Sequence, residues 1–200
     1  THHASSGASD VYKRQRDSML NINYPKIDKK SYNDIELSLE EPLIKINLRG
    51  KKKDFFAKVG KILSIILPTE SNTSSSNEKF TAMWLSPDEW MIYSKDNNQN
   101  IIFDELYNEI SKLNHGSITN VSDQWVCINL KGKNIYEMLS TACPFDFTKF
   151  KANKNSTTQT LVNHIDVIIH HKEENNLNLF VRRSFSEHLW LWLNDSAKFI

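Results

Sequence analysis

Residues 46–51 read INLRGK and residues 128–133 read INLKGK. Each copy ends a run with strand-like alternation, and each leads into apolar residues at helical spacing. In the first copy Leu43 to Gly50 reads as a strand, and Phe55, Val59, Ile62, Leu63 and Ile66 mark one stripe of a helix over 54–66. After Pro68 and a polar loop, FTAMWL and WMIYS read as two strands joined by SPDE, with Pro87 at the second position of a turn. Phe103, Leu106, Tyr107, Ile110 and Leu113 mark a second helix, closed by His115-Gly116. The second copy repeats the order. It has a strand at Trp125 to Leu130, a helix marked by Ile135, Met138, Leu139 and Ala142, and a polar loop, KANKNSTTQ. The strands LVNHIDVIIHH and LNLFVRRS follow, and a helix runs from Phe185 onwards. Ile46 and Ile128 are 82 positions apart, as are Phe103 and Phe185. One offset shared by two anchors in matching element order reads as a duplicated β-α-β-β-α unit, with an extra strand around Ile118 to Val121 at the join. Two such units predict an α+β protein, mainly antiparallel, with helices on one face of each sheet.

That reading divides the chain into a tail at 1–33, a first lobe at 34–117 and a second at 118–200. Residues 1–18 show no period and resemble translated adapter or cloning sequence, so they are set aside with His2 and His3. Tyr24, Pro25 and Ile27 are possible packing points, and order is expected to begin between Met19 and Ile35.

Composition narrows the function. The chain is 39% hydrophobic and 24% charged, with 25 basic against 24 acidic residues and a net charge of +1. That balance argues against nucleic-acid binding; the lysines at 51, 52, 53, 58 and 61 read as a solvated helix face. No apolar run reaches the roughly 20 residues that span a bilayer, and no secretory h-region is seen. Cys127 and Cys143 read as buried thiols of a reducing compartment, which makes the cytoplasm the expected location.

The candidate chemistry is weak at every point. Gly-Lys in both copies suggests a phosphate loop, but Lys45 and Cys127 stand where the first glycine is needed, and Lys52 and Asn134 where Ser/Thr is needed. Gly50 and Gly132 are therefore read as permissive strand-to-helix positions. His170 and His171 would point to opposite faces of a strand and, with His164, make no zinc spacing. Ser184 reads as an N-cap with Glu187 completing a capping box, rather than as half of a Ser-His pair with His188. Asp88 and Glu89 read as solvated turn residues. No catalytic, cofactor-binding or metal-binding residue is assigned.

The run HLWLWL at 188–193 stands apart. At 100° per residue Leu189 and Leu193 continue the face begun by Phe185, whereas Trp190 and Leu191 fall away from it and Trp190 and Trp192 point about 200° apart. One packing partner cannot cover them all. Phe185, Trp190, Leu191 and Trp192 are the candidate partner-binding residues, since aromatic side chains dominate protein–protein contacts.

Four stretches carry a family resemblance: WLSPDEWMIYS (Trp84–Ser94), NVSDQWVCINLKG (Asn120–Gly132), MLSTACPFDFTKF (Met138–Phe150) and VRRSFSEHLWLWL (Val181–Leu193). In that order, across about Leu39 to Ala197, they resemble the gamma subunit of heterotetrameric sarcosine oxidase, with Ser86 in place of a glycine, Phe147 of a leucine and Ser186 of an alanine. The resemblance implies a fold like that of the folate-binding aminomethyltransferases. It implies a non-catalytic subunit in direct contact with an alpha subunit, with beta and delta subunits in the same complex. That complex demethylates sarcosine to glycine and can pass the one-carbon unit to tetrahydrofolate. By the same resemblance FAD, FMN, NAD and tetrahydrofolate belong to the partner subunits. The alternatives are a free-standing folate-binding or aminomethyltransferase-like protein, which would need a carboxylate facing a folate ring, with Asp123 and Asp146 the nearest candidates, and the equivalent subunit of an N-methylglutamate dehydrogenase.

Overall fold

The computed structural model describes residues 28–40, 43–94 and 99–200, apart from the side chains of 99 and 100. The tail to 27, with Tyr24, Pro25 and Ile27, lies outside the described residues.

Eleven strands form two antiparallel sheets among the described residues. The first sheet holds β3 (Ile44–Gly50), β4 (Ser74–Ser76), β5 (Phe80–Ser86), β6 (Glu89–Ser94) and β7 (Gly116–Asn120), in the order β4-β5-β6-β3-β7. The second holds β1 (Lys29–Tyr32), β2 (Ile35–Leu39), β8 (Trp125–Lys131), β9 (Thr157–Val162), β10 (Ile165–Glu173) and β11 (Asn176–Arg182), in the order β1-β2-β8-β11-β10-β9. The repeated segments β3 and β8 occupy equivalent places, each between a hairpin strand (β6 or β11) and a strand that has crossed over from elsewhere.

That crossing is reciprocal. The strand before β3 in the chain, β2, pairs not with β3 but with β8, matching Leu37 to Leu130 and Leu39 to Ile128. The strand before β8, β7, pairs with β3, matching Ile46 to Asn120 and Leu48 to Ile118. The β1–β2 hairpin of the first half thus joins the sheet of the second, β7 joins the sheet of the first, and residue 117 falls inside β7.

The repeat glycines serve this crossing. The Gly50 amide donates to the Asp88 carbonyl and the Gly132 amide to the Asn175 carbonyl, so each copy is tied to the turn of its neighbouring hairpin. Gly50 faces Gly116 across the ladder, and a Cβ on Gly132, whose φ is +125°, would stand 1.9 Å from the Asp34 carbonyl oxygen. Only glycine permits that approach.

Helices cover the outer face of each sheet. On the first, α1 (Lys53–Leu63) and α2 (Gln99–Ile110) bury Phe55, Val59, Leu63, Leu106 and Ile110 against Ile46, Leu48, Trp90 and Ile92. On the second, α3 (Ile135–Ser140), α4 (Phe147–Ala152) and α5 (Arg183–Ala197) bury Leu139, Phe150, Leu189 and Leu193 against Val126, Ile128, Leu130 and Leu179. The inner faces meet each other through Met83, Met91, Tyr93, Cys127, Ile168 and Phe180. Period-2 alternation sends one set of side chains to the helices and the other to the opposite sheet. Both cysteines are buried, and neither is in a disulfide.

Several sequence expectations are corrected. Helix α1 stops at Leu63, where Ser64 turns left-handed, so Ile66 leaves the stripe and is 86% exposed. His115-Gly116 does not close α2, which ends at Ile110; Gly116 opens β7. The run from Leu161 to His171 is not one strand, because Asn163 and His164 both take positive φ and turn β9 into β10. KANKNSTTQ is not all loop, since α4 ends and β9 begins within it. Ser184 is not the N-cap of α5; the helix starts at Arg183, and Arg182 holds the capping position without a side-chain cap. Matching the buried residues of α2 and α5 pairs Leu106 with Leu189 and Ile110 with Leu193 rather than Phe103 with Phe185, because Phe185 lies outside the core.

Candidate functional site

A polar chain crosses the gap between the sheets. Ser74 Oγ donates to the Asn155 carbonyl (2.8 Å), so it accepts from His170 Nε2 (3.0 Å). That leaves His170 Nδ1 to accept from the Tyr93 hydroxyl (2.9 Å), whose oxygen accepts from Asn178 Nδ2 (3.2 Å). Asn129 Nδ2 donates in turn to the Asn178 and Asn176 side-chain oxygens at 2.8 Å each. Every donor has an acceptor, and the imidazole is fixed neutral with its proton on Nε2. Burial drives the His170 pKa down to about 3, with His171 and Lys172 adding to the shift. Its ring nitrogens are both engaged and the residue is 2% exposed, so it clamps the sheets together rather than offering a base to a substrate.

A cleft of about 750 Å³ is lined by residues of both sheets, among them the buried Met91, Val121 and Ile168. Its charged groups come from both sheets: Glu89 on β6, Asp166 on β10 and Arg182 on β11. Two of them are already engaged. Glu89 accepts from Asn47 Nδ2 and Arg49 Nη2, both at 2.6 Å, and Arg182 stacks 4.2 Å over the Trp125 ring while donating to Gln124 Oε1. Pro87 and Asp88 form the β5–β6 turn that places Glu89 here, so the residue is held by neighbours and not merely solvated.

The other candidate residues are accounted for locally. Asp123 accepts from Arg183 and Asp146 caps α4 by accepting from the Thr148 amide, so neither faces a ring-binding space. His170 and His171 do point to opposite faces; His171 Nδ1 lies 2.7 Å from the Asn153 carbonyl. His188 meets Asn163 at 3.4 Å and not Ser184. Among the described residues no group of His, Cys, Asp and Glu could hold a metal ion, and no helix is long and apolar enough to cross a membrane.

The final helix separates its apolar residues by face. Leu189, Leu193 and Ala197 are buried; Trp190 and Trp192 are half-buried, packing from either side against the same core. The strongly exposed pair is Phe185 at 52% and Leu191 at 58%. The two tryptophans thus need no second surface of their own, whereas Phe185 and Leu191 have none among the described residues. The lysines on α1 did not signal this face, and the turn at 163–164 that abuts it carries no glycine to announce it.

Comparison with known proteins agrees with this architecture. The model of the Sarcosine oxidase, gamma subunit family matches residues 49–198. The sarcosine oxidase subunit gamma of Corynebacterium sp. (strain U-96) is 25% identical over 114 residues, 57% of this chain and 54% of that protein. The chain therefore spans about half the length of the curated relative it matches. Among solved structures, a chain of the heterotetrameric sarcosine oxidase from Corynebacterium sp. U-96, in complex with pyrrole 2-carboxylate, aligns with a TM-score of 0.76 at 20% identity, over 84% of this chain and 86% of that one. The glycine cleavage system aminomethyltransferase T from Bartonella henselae aligns with a TM-score of 0.61 at 13% identity, over 81% of this chain and 46% of that one. These two likenesses place the fold.

Proposed function

Because the chain belongs to the sarcosine oxidase gamma subunit family, we propose that it is a non-catalytic subunit of a heterotetrameric, cytoplasmic amine-oxidising complex. It supports assembly with an alpha-like flavoprotein subunit that oxidatively demethylates sarcosine to glycine. By resemblance to the family, the FAD, FMN, NAD and tetrahydrofolate of that complex sit on the alpha, beta and delta partners. The observation that carries this reading is the pairing of family membership with two exposed apolar residues on α5, Phe185 and Leu191, which nothing among the described residues covers. Free-standing folate binding is the weaker alternative. It needs a buried carboxylate facing the ring, and in the cleft Glu89 is held by Asn47 and Arg49 while Asp166 is exposed. Co-expression with the alpha and beta subunits tests the proposal: the chain should co-purify in the complex, and the chain alone should carry no flavin absorption band and no oxidase activity. A yellow chain purified alone, or a complex that assembles and turns over sarcosine equally well without it, would overturn the proposal.

A further inference from the structure

Behind the exposed face of α5 lies a second concavity, of about 700 Å³, walled by the Ser140–Pro144 connection, the β9–β10 turn and Trp192. None of the ten residues that line it is Asp, Glu, Lys or Arg. In a chain with 24% charged residues that depletion is informative. A small anionic or cationic metabolite would find no carboxylate, ammonium or guanidinium here, whereas the buried centre of a protein–protein contact is depleted of such groups. The rim supplies a second, independent observation. Asn163 and His164 form a two-residue hairpin turn with φ of 47° and 63°. Glycine is the favoured second residue of such a turn, and a histidine held left-handed costs about 1–2 kcal/mol. The same turn touches α5 through His188, one helical turn from both Phe185 and Leu191. Exposed Leu161 adjoins it on β9.

We propose that this charge-free concavity, flanked by Phe185, is the seat for an uncharged, apolar segment of the alpha-like partner subunit. The inference rests on the subunit reading above and adds the place and chemistry of the contact. The exposed apolar rim and the uncharged walls suit the same occupant, a segment that brings aliphatic or aromatic side chains and no charge.

The test uses the full chain co-expressed with a tagged alpha subunit. Pro144→Arg and Phe185→Glu each put a charge on one rim. Both positions are exposed, and a carboxylate in the first turn of α5 suits the helix dipole. Tyr107→Arg, on α2 over the other sheet, is the control at matching exposure, 51%. Melting temperatures of the three variants report folding. Both rim variants should weaken capture by the alpha subunit at least tenfold with melting temperatures unchanged, and Tyr107→Arg should bind like the wild type. If the wild type binds and both rim variants bind equally well, this inference falls and the subunit reading stands. If the wild type itself does not bind, the subunit reading falls and takes this inference with it. A wild-type chain that dimerises alone, and that both rim substitutions return to monomers, makes the face a self-association surface and overturns the proposal.

Discussion

The Tyr93 hydroxyl, on one sheet, lies 2.9 Å from Nδ1 of His170 on the other. This bond belongs to the polar chain between two sheets whose inner faces otherwise meet through Met83, Met91, Cys127, Ile168 and Phe180. Apolar layers can slide; a polar chain with one donor–acceptor assignment fixes their register.

That bond makes stability acid-sensitive. His170 has a folded pKa near 3, well below its ordinary 6.5, because burial disfavours the imidazolium. The unfolded chain therefore binds a proton that the folded chain refuses. The stabilisation is fully present above pH 6.5 and is lost as pH falls towards 3. Carboxylates contribute only lower. Asp54, Asp88, Glu109 and Asp146 are held low, each chiefly by a hydrogen bond from a neighbouring side chain, so their contribution falls away below about pH 4.5. Urea unfolding from pH 7.5 to 4.5 should show a loss of about 2–3 kcal/mol. His170→Gln should start lower at pH 7.5 and lack most of that slope. An unchanged slope in the variant would move the effect to another group.

The same substitution should have opposite effects at two glycines. Gly132→Ala sets a Cβ 1.9 Å from the Asp34 carbonyl oxygen at φ +125°, so either the β1–β2 hairpin or β8 must shift. A loss above about 3 kcal/mol is expected, with faster amide exchange across 29–39. Gly60 lies inside α1, where a Cβ would meet nothing nearer than the Ile65 carbonyl oxygen at 3.4 Å. Gly60→Ala should stabilise by roughly 0.5–1 kcal/mol through helix propensity. Thermal denaturation of both variants checks the contrast in sign.

The repeat was legible because β3 and β8 carry their alternation in the chain itself. The reciprocal exchange of β2 and β7 was not. Pairing between Leu37 and Leu130 is decided by which sheet edge is open, and no local pattern records that. The turn at Asn163–His164 was missed for a different reason: apolar residues continue on both sides, and His is a poor marker of positive φ. On α5 the exposure of Leu191 followed from helical geometry, whereas that of Phe185 did not, because the same geometry sets it on the face of Leu189 and Leu193. Trp190 and Trp192 were harder to place, because a large ring can reach the core from the flank of a helix and be half-buried there. The Glu89 contacts required knowing that Asn47 and Arg49 lie two residues apart on one face of a neighbouring strand.

Lys45 gives the alkaline counterpart of His170. The residue is fully buried, and its Nζ donates to the Leu43 and Ser122 carbonyls at 3.0 and 3.3 Å. Burial pulls its pKa from the ordinary 10.5 to about 8, opposed by Cys127 and reinforced by Arg183. The unfolded chain again holds the proton more tightly, so stability should rise as pH climbs from 8 towards 10.5. Tyr93 and Tyr136, raised by burial to about 12, act in the other direction only above pH 10. Between pH 8 and 10 the wild type should gain about 2 kcal/mol and Lys45→Met almost none. Denaturant midpoints across that interval decide it, and an equal gain in the variant would remove Lys45 as the cause.

Leu189 and Leu191 are the same residue two positions apart on α5, one 0% and the other 58% exposed. The pair separates core from contact surface at constant chemistry. Leu189 packs in the cluster that holds Ile128, Leu179 and Leu193, and truncating it opens a cavity between α5 and the second sheet. Leu189→Ala should cost about 2–5 kcal/mol. Leu191 buries less than half of its surface, so Leu191→Ala should change stability by no more than about 0.5 kcal/mol. Association should show the reverse order. Leu191→Ala should bind the alpha subunit less tightly, by a factor of about 5–30 for an apolar contact worth roughly 1–2 kcal/mol. Leu189→Ala, measured at a temperature where it remains folded, should keep wild-type affinity. Urea titration gives the first comparison and surface-immobilised binding the second. A Leu191→Ala variant that loses stability and keeps its affinity would make the exposed face of α5 part of the fold and move the partner contact elsewhere on the chain.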